Sequence, residues 1–591
     1  MSEDKKEVEM NDFLRFLESI SEAVSEHNIS ERIKSFANEN FGQNMPNVLI
    51  WEQIAFDFTE DYSNEKSGWG TYFGPMFVLP NDEGKMVEYP SIQKITPEII
   101  SYWEERAKGA TNPIFRARYS DLVWDFSEKI TGKKPHYSIA QIYIDSIIEI
   151  AEKDLHKYSS NVIQKLRRAL SLALSINDKS RINRLIDVII SYEGKVGEDE
   201  KPGLWGFSYE FLVKSKRIPI SDDKKQAILT DLEKRFGRLL KGKNHWAAQR
   251  AALLLVDHYS KIGEQEKAKE TLLKYGDLVQ RQAEKASPLV AGAWLEELYH
   301  LYLQHGMKHE ADKISNKIRE LGERAKDELK QISVSTEIPK DKLEEYINWL
   351  TDGDLETVLL KITANFITKK GEVIKQLQQL SKIAPISFLS TRKIIDTEGR
   401  PVATVGSLKE DTDGNIVFQI SQNMQIGAFF LREVFKALVD KFELTTEEIV
   451  NYFYESPIFD ERRKDFFIKG IEAYLKGDYV VSLHILIPQI EALIRNLSEK
   501  VGTPVLRPSR TGGFFYRTLD DLLRDEQIIK VLGEDMSLYL RVLLTDPRGW
   551  NLRNKMCHGI SVPEQFNQAS ADRILHVLLC LALVREKRDE K

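Results

Sequence analysis

Two stretches of this chain, HYSKIGEQEKAKETLLKYG (258–276) and LYLQHGMKHEADKISNKIRELG (301–322), carry the same three landmarks at the same spacing. Tyr259, Gly263 and Ala268 of the first correspond to Tyr302, Gly306 and Ala311 of the second, each pair 43 residues apart. A further 86 residues upstream, LALSINDKSRINRLIDVI puts Asn177 at the glycine position. A tyrosine, then a residue that tolerates left-handed backbone, then a small residue in the next helix is what stacked helical hairpins require. Such hairpins bury their apolar stripes only against neighbouring hairpins, so this part of the chain is committed to a helical array.

The spacing resembles tetratricopeptide-like or HEAT-like arrays, although 43 residues does not suit a strict tetratricopeptide period. Arrays of that kind bind partners or brace a domain. The helical period dominates elsewhere too, so the expected fold class is mostly α. With 591 residues, 42% of them hydrophobic, the chain is too long for one core. Four segments are expected: a mostly helical one at 1–153, the repeat-like one at 154–335, a helical connector at 336–425 with a small β insert at 392–421, and a helical bundle at 426–591.

In the first segment, NPIFRARYSDLVWDF (112–126) reads as a helix in which Arg116, Arg118 and Asp121 make a surface ion-pair face. The insert RKIIDTEGRPVATVGSLKEDTDGNIVFQIS (392–421) has short β-branched runs separated by EGR and DGN, the pattern of a hairpin or three-strand unit. Its DTDGN mimics the opening of a calcium loop, but Gln422 stands where the closing glutamate belongs, so it reads as a turn. His305 and His309, with Glu310, offer two imidazoles at i, i+4 and no third ligand; they read as exposed histidines, and neither metal nor cofactor is expected. His484 and His576 lie on apolar helical runs and read as core histidines.

The net charge of −7 argues against a protein that coats polyanions generally. Cys557 and Cys580 imply no disulfide framework and a reducing compartment. The N-terminus lacks an apolar signal core, and ILHVLLCLALV (574–584) is short of the roughly 20 apolar residues of a membrane span. A cytoplasmic protein without a membrane partner is the expectation.

The densest polar chemistry is RNKMCHG (553–559), set between two apolar helical runs after Pro547. Asn554 and His558 share a helix face at i, i+4, and the long side chain of Arg553 can curl back beside them. An imidazole moves protons, a guanidinium grips phosphate oxygens, and an amide orients either. Those are the needs of RNA cleavage by its own 2′-hydroxyl, a reaction that requires no metal. Acid and base roles take two groups, so a twofold homodimer pairing two such helices is expected. Glu491 and Arg495, one turn apart on a helix of about 478–500, form an ion pair or let Glu491 orient Arg553 or His558. Arg507, Arg510 and Arg517, in the Pro/Gly loop VGTPVLRPSRTGGFFYR, either hold an RNA backbone or belong to a solvated loop.

The spacing Arg-x-x-x-x-His in a late helix of a small bundle resembles the HEPN superfamily (higher eukaryotes and prokaryotes nucleotide-binding). The longer form RN-x-x-x-HG, preceded by LIPQIEALIR (486–495), is similar to the HEPN-like family that includes the endoplasmic-reticulum-membrane-associated RNA degradation protein and bacterial relatives. NPIFRARYSDLVWDF also looks like that bacterial group. The resemblance implies a metal-independent endoribonuclease in defence or stress response, with His558 as general acid/base, Arg553 as phosphate clamp and Asn554 as orienting group. It also implies that the N-terminal helical region restrains the nuclease or senses a protein or nucleotide activator. The alternative is a scaffold that dimerises through an inactive bundle.

Overall fold

The computed structural model describes residues 12–19, 23–42, 45–61, 68–80, 85–330, 337–396 and 398–586. They are predominantly helical, with three two-stranded antiparallel pairings. Two compact units divide the chain, Met1–Ser315 and Asn316–Lys591.

In the first unit the repeat landmarks have the structure their spacing implies. Helix His245–Lys261 is followed by Gln265–Ala283, and Pro288–Gln304 by Lys308–Ala325. Gly263 and Gly306 take φ of +83° and +72°, and Asn177 takes +55° at the equivalent turn. Each turn is closed by the same backbone bond, Glu264 N to Tyr259 O and Met307 N to Tyr302 O, both 2.8 Å. Ala268 and Ala311 are buried where the next helix crosses. Gly276 is needed for a different reason: a Cβ there would sit 1.8 Å from the Tyr302 hydroxyl.

The helix at the centre of the N-terminal segment, Pro113–Thr131, overturns one expectation. Arg118 and Asp121 are 3% and 2% exposed, so they do not form a surface face. Arg118 donates to the carbonyls of Ala55 and Phe58 and, at 2.7 Å, to Glu60. Arg168 closes on Asp121 at 2.9 Å, and burial raises the Asp121 pKa although Arg168 pulls it back. Arg116 pairs with Glu149 on the following helix rather than within its own. Nearby, fully buried Glu52 accepts from the hydroxyls of Tyr102 and Tyr119 and from Arg106. These charges are buried because each finds a partner on another element, the condition under which an interior ion is tolerated.

In the second unit the β insert takes the smaller of the two expected forms, a hairpin in which Arg392–Ile395 pairs with Pro401–Val405. DTDGN instead opens a helix of 31 residues, Thr412–Phe442. Asp411 is its N-cap, accepting from Gly414 N at 2.8 Å and from Gly406 N at 3.2 Å. The Asp chemistry that reads as a turn serves equally as a helix cap. The boundary drawn at 425/426 therefore falls inside a continuous helix. Replacing Asp411 by alanine should cost about 1 kcal/mol, read as a lower melting temperature of the full chain.

The bundle core lies among Thr412–Phe442, Tyr479–Lys500, Glu534–Leu544 and Gln568–Ala582, with Leu431, Ile490, Leu543 and Leu578 at 0–1% exposure. Among the described residues one helix, Tyr479–Lys500, is long and apolar enough to cross a membrane, and 61% of its apolar window is buried inside the protein. The run 574–584 is likewise core, not surface. His576 is the core histidine expected: it bonds the Tyr539 hydroxyl at 3.0 Å, and burial pushes its pKa down to about 3. His484 is not. It is exposed, with Nδ1 2.7 Å from Val480 O and its ring 4.6 Å from Phe566, because its helix turns that face outward. His305 and His309 are exposed as read.

Candidate functional site

The motif is positioned by a turn that the local sequence specifies closely. Helix Glu534–Leu544 stops ahead of Pro547, and Asp546 is buried beneath the turn. Its carboxylate accepts from Arg548 Nε at 2.9 Å and Arg541 Nη2 at 3.3 Å. Arg548 reaches on to Asp413, at 2.6 Å, in the first turn of Thr412–Phe442. Gly549 lets the chain pass over Val542, since a Cβ would lie 2.3 Å from the Val542 carbonyl oxygen. Asn551 then takes φ +56°, and helix Leu552–Cys557 begins.

That helix is six residues long and ends before His558, so Asn554 and His558 do not share a helix face as their spacing suggests. His558 is its C-cap, with φ −92° and ψ 3°, and Gly559 follows at φ +65°. Ile560 N bonds back to Lys555 O at 2.8 Å, the Schellman closure that a left-handed glycine permits. His558 is therefore on the last turn rather than in the middle of a helix face. Its side chain is exposed and makes no hydrogen bond or ion pair among the described residues.

Arg553 and Asn554 are half-buried, tied to the bundle while the Arg553 side chain keeps 24% of its exposure. Arg553 Nε donates to Glu491 Oε2 at 2.8 Å, and its Nη1 donates to Asn554 Oδ1 at 3.1 Å. Asn554 spends its two amide hydrogens on Thr545 O (3.0 Å) and Asn551 Oδ1 (2.9 Å), which ties the short helix to the turn before it. Glu491, 7% exposed, also accepts from Arg495. Both readings of Glu491 thus hold at once: it pairs within its helix and orients Arg553. Two guanidiniums on one carboxylate leave a local charge of about +1, a setting that favours an anion. Lys555 adjoins the cluster in sequence, and burial holds its pKa below the lysine range against the attraction of Asp396.

The Pro/Gly loop is a β-hairpin, Leu506–Pro508 with Phe514–Tyr516. Arg517 braces it from below through Asp525 (2.9 Å), Pro504 O and Asp521 O, so its fork is already occupied. Arg507 lies 3.7 Å from Asp521, and Arg510 is exposed near the tip. Arg517 is thus taken up within the hairpin, while Arg507 and Arg510 are exposed. Sequence reasoning passed over the aromatic run: Phe514, Phe515 and Tyr516 are 70%, 56% and 61% exposed. Three consecutive rings in a loop that also carries arginines at 507, 510 and 517 were the available signal. Tyr516 joins the hairpin to the motif, because the Arg495 guanidinium sits 4.9 Å from its ring centroid. Arg553, Asn554, Glu491, Arg495 and Tyr516 are one connected set.

Because Asp546 anchors the turn, Asp546→Asn should destabilise this unit by about 3 kcal/mol, leaving two arginines short of a carboxylate. Burial pushes the Asp546 pKa up, but the bonds from Arg548 and the attraction of Arg548 and Arg541 outweigh it, so it sits below the ordinary value. Its contribution is present above the unfolded carboxylate pKa and is lost as pH falls below that value. Denaturant unfolding at neutral and acid pH should show the Asn variant converging on the parent in acid.

A family model described as a domain of unknown function (DUF7380) matches residues 67–184, which include the Arg118 and Asp121 helix and not the Arg553–Gly559 segment. No curated protein and no solved structure matches the chain.

Proposed function

We propose that the second unit is a metal-independent endoribonuclease of the HEPN type, acting as a homodimer through its bundle. The observation that supports it is the division of labour within one short segment. Glu491 clamps Arg553 in a net-positive setting, while five residues on His558 is exposed and unengaged among the described residues. His558 of one copy takes the proton of the 2′-hydroxyl, whose oxygen attacks phosphorus. His558 of the second copy protonates the departing 5′-oxygen, leaving a 2′,3′-cyclic phosphate. Arg553 stabilises the charge added at phosphorus, and Asn554 fixes its guanidinium. The exposed rings of Phe514, Phe515 and Tyr516 offer stacking faces for unpaired bases. The first unit restrains or triggers the nuclease in defence or stress, as the family resemblance implies.

A second reading rests on a specific observation: the hydrogen bonds of Asn554, and the pairing of Arg553 with Glu491, also explain both residues as struts of a non-catalytic dimerising bundle. Incubating the full chain with mixed RNA, with and without chelator, separates the two. The nuclease reading expects cleavage that survives chelation, cyclic phosphate ends, and a dimer by light scattering. A dimer inert both on RNA and as a toxin on expression sustains the scaffold reading.

A further inference from the structure

Arg573 is a buried cation without a matching acid. It is 2% exposed on helix Gln568–Ala582, and no carboxylate lies within ion-pair distance of it among the described residues. Nη1 donates to Phe366 O at 3.3 Å and Nη2 to Met424 O at 2.9 Å, while Nε makes no hydrogen bond. A guanidinium has five N–H groups, so two carbonyls and the neutral Tyr539 hydroxyl leave part of its capacity and all of its charge unmatched. The adjacent acid, Asp572, makes no ion pair with it: Oδ1 accepts from the Tyr474 hydroxyl at 2.6 Å, Oδ2 has no hydrogen-bond partner among the described residues, and burial pushes its pKa up to about 6. The other polar neighbours carry no charge at neutral pH: the Tyr539 hydroxyl bonds His576 at 3.0 Å and also meets the Arg573 guanidinium, and burial keeps His576 neutral. Leaving a cation in this state costs several kcal/mol unless an anion completes it.

The surroundings supply room for one. Arg573 lines a cleft of about 490 Å³. Tyr346, Phe366 and Phe430 line it, together with Asn365 and Asn423. The Asn423 amide is pre-aimed by Gln376 at 2.9 Å, and Asn365 is held by the Tyr346 hydroxyl. Gly427 makes the arrangement possible: a Cβ at that helical position would stand 3.0 Å from Arg573 Nη2. One fixed guanidinium, two oriented amides and three aromatic walls match a molecule with one anionic oxygen group and a planar apolar body.

We propose that this cleft binds a small aromatic carboxylate or phosphate, with Arg573 gripping the anionic group and the rings holding the body. The proposal stands apart from the ribonuclease reading and uses none of its residues.

Calorimetric titration of the full chain with benzoate, phenyl phosphate, inorganic phosphate and phenol tests it. Saturable binding is expected for at least one aromatic anion, and the benzoate and phenyl phosphate arms decide between carboxylate and phosphate. Phosphate, lacking the body, and phenol, lacking the charge, should each bind about tenfold more weakly or worse. Arg573→Gln removes the anchor; Gly427→Ala keeps the charge and crowds it. Each should weaken the aromatic anion by about tenfold or more, with helicity by circular dichroism reporting that the fold is kept. If Arg573→Gln does not fold, Gly427→Ala alone decides. No saturable binding of either aromatic anion up to about 10 mM, or binding unchanged in the variants that fold, overturns the proposal.

Discussion

RNA cleavage by the His558→Ala protein is expected to fall by about 10²–10⁴-fold, the contribution of a positioned general acid or base. The fold should be indifferent to the change. His558 is an exposed C-cap whose backbone, not its ring, makes the closing bonds, so stability should move by less than about 0.5 kcal/mol. Arg553→Ala is a different experiment. It removes the clamp and also leaves the buried Glu491 with Arg495 alone, so it loses activity and stability together. Comparing the two separates chemistry from architecture: loss at His558 with an unchanged melting temperature cannot come from a loosened bundle. If His558→Ala cuts RNA at the parental rate, the catalytic assignment is wrong and the motif is a strut.

The largest stability effect lies in the first unit. Arg118→Met should cost about 3–5 kcal/mol, measured by urea unfolding of the full chain. The methionine fills the stem's volume but abandons the Ala55 and Phe58 carbonyls and one of the two cations on Glu60. The Arg118 guanidinium also sits 4.8 Å from the Phe73 ring centroid, so an aromatic contact goes with it. Two residues earlier, Arg116→Ala opens a partly exposed pair with Glu149 and should cost about 1 kcal/mol or less. A loss at Arg118 no greater than that at Arg116 would mean that the interior network contributes nothing beyond a solvated pair.

That contrast also shows where sequence reasoning runs out. Arg116, Arg118 and Asp121 have the spacing of any exposed helical ion-pair face, and the partners that bury Arg118 lie 58–63 residues away along the chain. No local pattern encodes such a distance. The repeat turns were legible because their physics is local: Gly263, Gly306 and Asn177 are selected by the backbone of the turn itself. Asp411 was legible as a capping aspartate and ambiguous in what it caps, since a turn and a helix start use the same bond. The clustering of Glu491 with Arg553 was reachable because facing helices in a bundle pair apolar stripes. Arg573 was not, since a single arginine in an apolar run gives no hint that its acid is missing.

The 31-residue helix Thr412–Phe442 is a rod of about 46 Å. Asp413, at one end, holds Arg548 and with it the turn before the motif; Gly427, some 21 Å along, seats the Arg573 guanidinium. A single stiff beam therefore serves as bearing for both places. Neither can slide along its axis without dragging the other, so the two share one mechanical degree of freedom.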